Sequence, residues 1–396
     1  MIQTRLHCPL PALATLAVQA VSDGYPMALW QMPHQKEKHL LIDLSGQPVH
    51  CTPDLSELPA GFLIAPFQNE GKAYFLHADL YFRSDSQTVQ EGPRTQAYGT
   101  PLYERKETFS KMKATTQKPS FFAAPSRDHS VDWPTYRETL QRGLKRIAAG
   151  DFIKFVLSRT KTYTLAKDFS LLDTFEALCQ RYPNAFVSLV SAPGIGTWMS
   201  ATPETLISQD ENGIFRTMAL AGTQSRAGLS SLKQASWREK EIEEQAMVSR
   251  YIINCFKKIR LREFQEEGPK TVAAGNLIHL RTDFWVDTRA AHFPELPTVM
   301  LQLLHPTSAV CGMPKEPALE FLLRHENYDR SFYSGYLGPT NLHGNTQLFV
   351  QLRCMQVRNQ QAILYAGGGI TRDSVAEQEW QETEMKFETL GSVLAS

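Results

Sequence analysis

Leu364–Leu390 reads LYAGGGITRDSVAEQEWQETEMKFETL, and the parsing of this stretch decides the fold. It is an apolar strand end, three consecutive glycines, a capped turn, and a helix in which Glu379, Glu382 and Lys386 recur every three or four positions. That spacing sets two carboxylates and an ammonium on one helical face. Gly367, Gly368 and Gly369 leave the backbone bare beside that face, so a ligand can come close to its N–H groups. A strand-to-helix unit of this kind supplies half of a polar site. The other half has to come from the rest of the chain.

The chain is long enough, at 396 residues, for one large core or two ordinary ones. Lys+Arg and Asp+Glu are both 41, so net charge makes no case for nucleic acid or an anionic membrane, and charge has to be judged locally. Cys8, Cys51, Cys179, Cys255, Cys311 and Cys354 are scattered without a CxxC, which favours structural thiols over a metal or redox site. The N-terminal MIQTRLHCPLPALATLAVQAV has one arginine and no cleavage signal. No segment reaches the ~18 consecutive apolar residues of a membrane span. A cytoplasmic protein is expected.

Outward from the C-terminal unit, two regions differ in texture. Residues 1–125 carry short strand-like runs (Pro26–Gln31, His39–Leu44, Ala73–Phe82) between proline and glycine turns. They read as a β-rich N-terminal portion packed on the same core as residues 126–396. Arg105–Ser126, polar and lysine-rich, reads as a linker or mobile loop. Beyond it, Pro134 opens a helix that Gly150 ends.

Then comes FIKFVLSRT, Phe152–Thr160, apolar on both faces and therefore a strand buried on both, with Lys154 in its middle. Lys154 is either an edge-strand guard or a buried amine, and desolvation makes a buried lysine a candidate general base. Glu204 follows Pro203, and Asn212-Gly213 turns a hairpin that leads to Gly222.

A long helix from Trp237 carries Glu241, Glu244, Val248, Tyr251, Cys255 and Ile259 on one stripe, acidic first and apolar later. The two acids are helix-dipole partners or, lying in line with the buried face, metal ligands. His279 lies on a strand, Asn276–Val286. Arg353 stands in an apolar strand read as Gln347–Val357, where it calls for an anion opposite, in a salt bridge or a ligand.

In order, the blocks KFVLSR, SATPE, ALAGT, KEIEEQ, NLIHLRT, LHPTSAVCGMP, YDRSFYSGYLG, YAGGGI and EWQETEMK resemble the chorismate-utilising enzymes. These are the isochorismate synthases, the salicylate synthases and the large subunits of anthranilate and aminodeoxychorismate synthase. The likeness runs from about Pro134 to the C-terminus, and Gln245 stands where that block commonly has histidine. It implies an α+β fold, a large chorismate-binding unit with β-sheets packed in the interior and helices outside. Lys154 matches the family's water-using branch, the anthranilate branch usually having glutamine there. Ala221 stands where bacterial aminodeoxychorismate synthases carry lysine. The resemblance therefore points to isochorismate synthase, an isomerase, with salicylate synthase as the alternative.

It further implies Lys154 as the base for water attack at C2 of chorismate and Glu204 as the acid at the C4 hydroxyl. Mg²⁺ is expected on Glu241, Glu244, Glu379 and Glu382, gripping the ring carboxylate with Lys386 beside it. Arg353, Tyr333, Gly367 and Gly368 are expected at the enolpyruvyl carboxylate, and Gly222, Thr223, His279 and Ala309 around the ring. Menaquinone and siderophore biosynthesis share these motifs, with menaquinone the commoner use. No nucleic acid, membrane or glutamine amidotransferase subunit is expected as partner.

Overall fold

Runs that alternate in burial, closed by glycine and proline turns, give this chain two large sheets, and the site lies where they exchange strands. The computed structural model describes residues 2–5, 13–86, 88–94, 121–122, 130–226, 228–274, 277–358 and 360–394. Among them lie seven α-helices: α1 (Leu13–Ser22), α2 (Trp133–Ala148), α3 (Leu171–Arg181), α4 (Glu239–Lys258), α5 (Leu296–Leu304), α6 (Lys315–His325) and α7 (Ala376–Leu394).

The larger sheet runs, neighbour to neighbour, Ile2–Arg5, Thr88–Glu91, Leu80–Arg83, Lys38–Ile42, Met27–Gln31, Phe186–Ala192, Gly196–Thr202, Cys354–Arg358, Gln361–Ile370, Lys154–Thr164, Gly312–Met313. The smaller runs Gln265–Ala274, Leu277–Asp287, Ile214–Ser225, Thr205–Gln209, Thr346–Val350, Tyr336–Thr340, Gly61–Ala65, Ala73–His77, Val49–Cys51. Every pairing is antiparallel. Strands from the first 94 residues enter both sheets: Met27–Gln31 pairs with Phe186–Ala192, and Gly61–Ala65 with Tyr336–Thr340.

Alternation along each strand sets the layers. In the larger sheet Leu29, Leu40, Val187, Leu189, Met199 and Leu364 face α1, α3 and the Phe387–Leu390 turn of α7. Their neighbours Ala28, Trp30, Leu41, Phe186, Val190 and Trp198 face inward and meet Phe62, Ile64, Leu337 and Phe349 of the smaller sheet. A third cluster gathers α2, α4, α5 and α6 around Phe155, Leu157, Phe215 and Phe284. The fold is α+β, with sheets inside and helices outside.

Several local readings change. Ala73–Phe82 is two strands in different sheets, because Asp79, buried at 1% exposure, takes the Leu44 N–H and turns the chain. Gln265–Ala274 is a strand the sequence reading passed over; its Glu-Glu-Gly-Pro-Lys start is too polar for a periodicity signal. The three glycines lie within the Gln361–Ile370 strand rather than after it, and its ladder with Val156–Ser158 continues through all three. Cys179, Cys255, Cys311 and Cys354 are buried free thiols and Cys51 a half-buried one, while Cys8 lies outside the described residues. So does the proposed linker, except Phe121 and Phe122, which pack on the helix-side cluster. Among the described residues no helix is long and apolar enough to cross a membrane.

A candidate active site where two strands change sheets

Gly196–Thr202 of the larger sheet runs through Pro203-Glu204 into Thr205–Gln209 of the smaller. Thr346–Val350 of the smaller runs back through Gln351–Arg353 into Cys354–Arg358 of the larger. The two crossings are stitched together. Thr202 Oγ1 donates to the Val350 carbonyl at 2.7 Å, the Ala201 N–H to the Arg353 carbonyl at 3.0 Å, and the Val350 N–H to the Glu204 carbonyl at 2.9 Å. Gln347–Val357 is therefore not one strand. Arg353 sits at the break with φ +46°, a left-handed conformation seldom taken by a long side chain. Both halves, TQLFV and CMQVR, mix apolar and polar residues in the same way, so no change of pattern marks the crossing. An acid and a guanidinium thus leave the same corner.

They face a cavity of about 80 Å³ that is also lined by Gly222, Thr223, Glu244, His279, Ala309, Tyr333, Gly367, Glu382 and Lys386. Glu204 is 5% exposed, and burial pushes its carboxyl up to about 8 against the opposing pull of Lys154, Arg353 and Lys386. It is a protonated acid near neutral pH. Arg353 donates to Thr389 Oγ1 at 3.3 Å and has no carboxylate within ion-pair distance among the described residues; burial holds its guanidinium below the usual range. His279 Nδ1 stands 2.8 Å from the Gly222 carbonyl, so that nitrogen carries the proton. Its buried Nε2 has no protein partner, and burial lowers the ring to about 3, leaving a neutral acceptor. Tyr333 is 3% exposed and burial raises its phenol, which remains a donor.

Lys154 heads the strand Lys154–Thr164 and is fully buried; its Nζ donates to Glu244 Oε1 at 2.8 Å. It reaches the cavity through that carboxylate. Burial pushes the Glu244 carboxyl up, but Lys154, with Lys386 and Lys240, outweighs it and holds the group below the ordinary value. On α7, Lys386 Nζ donates to the Gly367 carbonyl at 2.6 Å and to Glu382 Oε1 at 2.7 Å.

What the glycines provide is room. A Cβ on Gly369 would stand 2.5 Å from Glu244 Oε1 and 2.9 Å from Lys154 Cε, and one on Gly367 would stand 2.8 Å from the Tyr333 hydroxyl. Gly368 does not line the cavity; it lies under α7, where a Cβ would meet Glu379 Oε2 at 3.4 Å and Glu382 Oε1 at 3.8 Å.

A family model described as chorismate binding enzyme matches residues 66–395. The chain belongs to that family. It is 26% identical over 341 residues to isochorismate synthase EntC of Escherichia coli (strain K12), covering 83% of this chain and 86% of that one. It is 28% identical over 267 residues to isochorismate synthase DhbC of Bacillus subtilis (strain 168), covering 64% and 66%. The menaquinone-specific isochorismate synthase MenF of Escherichia coli has the same fold, with TM-score 0.76, 22% identity, and 99% of this chain and 93% of that one covered. Anthranilate synthase component I of Streptococcus pneumoniae follows at TM-score 0.68 and 19% identity, covering 92% of each.

In this chorismate-binding chain the four acids expected at a cation do not act alike. Both oxygens of Glu241 are engaged at its own helix start, by the Arg238 N–H at 2.9 Å and the Arg238 guanidinium at 3.1 Å. Glu241 closes a capping box at the start of α4. Glu244, Glu379 and Glu382 are each drawn to a lysine. Glu379, 1% exposed, accepts from Lys240 at 2.5 Å; burial and Glu382 raise its carboxyl while Lys240 lowers it. Its second oxygen, Oε2, is buried without a partner over Gly368.

Among the described residues no three acidic, histidine or cysteine groups close on one point as they stand. Even so, the donor set fits a hard divalent cation: all-oxygen carboxylates, one with an unused buried oxygen, above the bare Gly367–Gly369 stretch of the strand. Lys240 is the residue the sequence reading missed. It lies four positions before Glu244 and so shares its face, a spacing as visible as that of Glu241 and Glu244.

Proposed function

We propose that this chain is an isochorismate synthase, converting chorismate reversibly to isochorismate with Mg²⁺. The observation that carries the reading is a protonated Glu204 and an Arg353 without an ion pair on one wall of a cavity whose other wall is the Lys154–Glu244 pair. Glu204 supplies an acid, Lys154 stands behind Glu244 as the proposed base, and the site still wants an anion.

Lys154 first passes a proton to the Glu244 carboxylate, 2.8 Å away; water then attacks C2 of the ring and loses its proton to the freed Lys154 amine. The ring double bonds shift, the C4–O bond breaks, and Glu204 protonates the departing hydroxyl to water. One water enters and one leaves, so the net change is an isomerisation. Arg353 and Tyr333 take the enolpyruvyl carboxylate as charge-assisted and neutral donors. His279 Nε2 accepts from a ring hydroxyl. Glu244, Glu379 and Glu382 would hold Mg²⁺, which neutralises the ring carboxylate when bound, and Lys386 supplies a further cation there.

The test is purified protein with chorismate and MgCl₂ in ¹⁸O-labelled water. Isochorismate carrying one solvent oxygen is expected. Salicylate and pyruvate without an added lyase would assign a salicylate synthase, and no consumption of chorismate would end the reading. Supply of menaquinone is proposed with it. A deletion strain should lose menaquinone; loss of a catechol siderophore instead would move the enzyme to that pathway.

A further inference from the structure

Beside the reaction cavity lies a larger one, of about 270 Å³, whose walls include Arg181, Arg226 and Arg353 with Tyr182 and Thr389. Among the described residues no carboxylate lines it, in a chain whose acidic and basic residues are equal in number. Pro203 and Arg353 line both spaces, so the two meet at the corner where the strands change sheets. The elements connect them too. Arg226 directly follows the Ile214–Ser225 strand that places Gly222 and Thr223 in the inner cavity, and Arg181 ends α3. Among the described residues, none of the three guanidiniums has a carboxylate within ion-pair distance.

Three unpaired guanidiniums around one hollow, one of them shared with the site next door, describe a place for an anion. We propose that the outer cavity is an anion antechamber: Arg181 and Arg226 hold a carboxylate-bearing dianion, and Arg353 then takes one of its carboxylates inward. The identity of that dianion as chorismate rests on the proposed function. The shared guanidinium makes occupancy sequential, since Arg353 can present its fork to one carboxylate at a time. The outer arginines raise the rate of capture and leave the chemical step alone, as a local cationic field does for an oppositely charged ligand.

The experiment compares wild type with Arg181→Gln, Arg226→Gln and the double variant, with Lys257→Gln on the exposed end of α4 as a charge-matched control. Two readouts are taken: steady-state kinetics across an ionic-strength series, and calorimetric binding of chorismate without Mg²⁺. The double variant is expected to lose about tenfold in kcat/KM at low salt with kcat unchanged, and to show a flatter salt dependence, while the control follows wild type. Chorismate binding should weaken in parallel. Kinetics and salt dependence equal to wild type would overturn the antechamber even if wild type turns chorismate over. Wild type that binds chorismate more tightly than the double variant without converting it would keep the antechamber and overturn the reaction. A fall in kcat shared with a lowered Tm would assign the arginines to structure and also overturn it.

Discussion

Replacing Lys240 by Met tests the charge balance of the cluster beneath α7. Lys154, Lys240 and Lys386 stand against Glu244, Glu379 and Glu382, each lysine paired with one acid. Met keeps the aliphatic stem of Lys240 and deletes its charge. Glu379, 1% exposed, then loses the one cation that lies within ion-pair distance among the described residues, while its second oxygen already lacks a partner there. Removing one member of a buried pair costs about 3–5 kcal/mol, and the 32% exposure of Lys240 places the change near the lower end. At about 2.1 cal/mol/K per residue, the unfolding entropy of 396 residues is about 0.8 kcal/mol/K, so Tm should fall by about 4 °C.

The loss depends on pH. Burial already raises the Glu379 carboxyl, and without Lys240 it rises further, so the penalty is full above that value and disappears as the group takes a proton on acidification. Scanning calorimetry without divalent cations, at mildly acidic and mildly alkaline pH, reads this directly. The Lys240→Met, Glu379→Gln double variant should recover most of the loss, because no uncompensated charge remains. MgCl₂ should raise the Tm of Lys240→Met more than that of wild type. A single variant within about 1 °C of wild type at alkaline pH, or a double variant equal to the sum of the singles, would refute the pair.

Glu204→Gln should abolish turnover yet stabilise the protein. The folded-state carboxyl lies at about 8, above its unfolded value, so the folded form holds more protons between them and wild-type stability falls as pH rises toward 8. The gain in Tm should therefore be larger at about pH 8 than at about pH 5, and a gain independent of pH would contradict the buried acid. Lys154→Ala should remove water addition while chorismate binding stays measurable by calorimetry; turnover like wild type would exclude Lys154 as the base. Gly369→Ala puts a Cβ 2.5 Å from Glu244 Oε1 and should cut kcat by at least about tenfold as the Lys154–Glu244 pair moves, and unchanged kcat would mean the pair has slack. Glu382→Gln should raise the Mg²⁺ concentration needed for half-maximal rate, whereas an unaltered requirement would place the cation away from α7.

Legibility in the sequence followed the range of the interaction. The Lys154 strand could be read because burial on both faces leaves a continuous apolar run, but it spans Lys154–Thr164, so Lys154 opens it rather than standing in its middle, and Ile153 before it is exposed. Helix α2 could be read because Pro134 stands in its first turn and Gly150 follows its end, both of them local signals. The Arg353 crossing could not be read, since what ends the strand there is a change of partner, and partners are distant in sequence. Glu241 is a related case. Its stripe predicts burial correctly, but its carboxylate is satisfied three residues away by Arg238, a local bond that competes with any distant ligand. Lys240 escaped because its target, Glu379, is 139 positions away and only the docking of α7 on α4 brings them together.

The corner also explains why the chemistry sits where it does. A continuing strand would commit the backbone around Glu204 and Arg353 to one ladder and stand their side chains in the packed layer between the sheets. By changing sheets together, the two segments open that layer and bring polar side chains to its middle. The cost is visible: among the described residues His279 Nε2 and Glu379 Oε2 are buried without partners and Arg353 is half-buried without a carboxylate in ion-pair range, while Glu204 is held against its ordinary ionisation. Each of these lowers stability alone, and a core selected for packing would pair them or replace them. Their demands differ in kind: the imidazole wants a donor, the guanidinium an anion, the carboxylate a cation, and the protonated acid a site of developing negative charge. A small ring with a hydroxyl, two carboxylates and an accompanying cation answers all four at once.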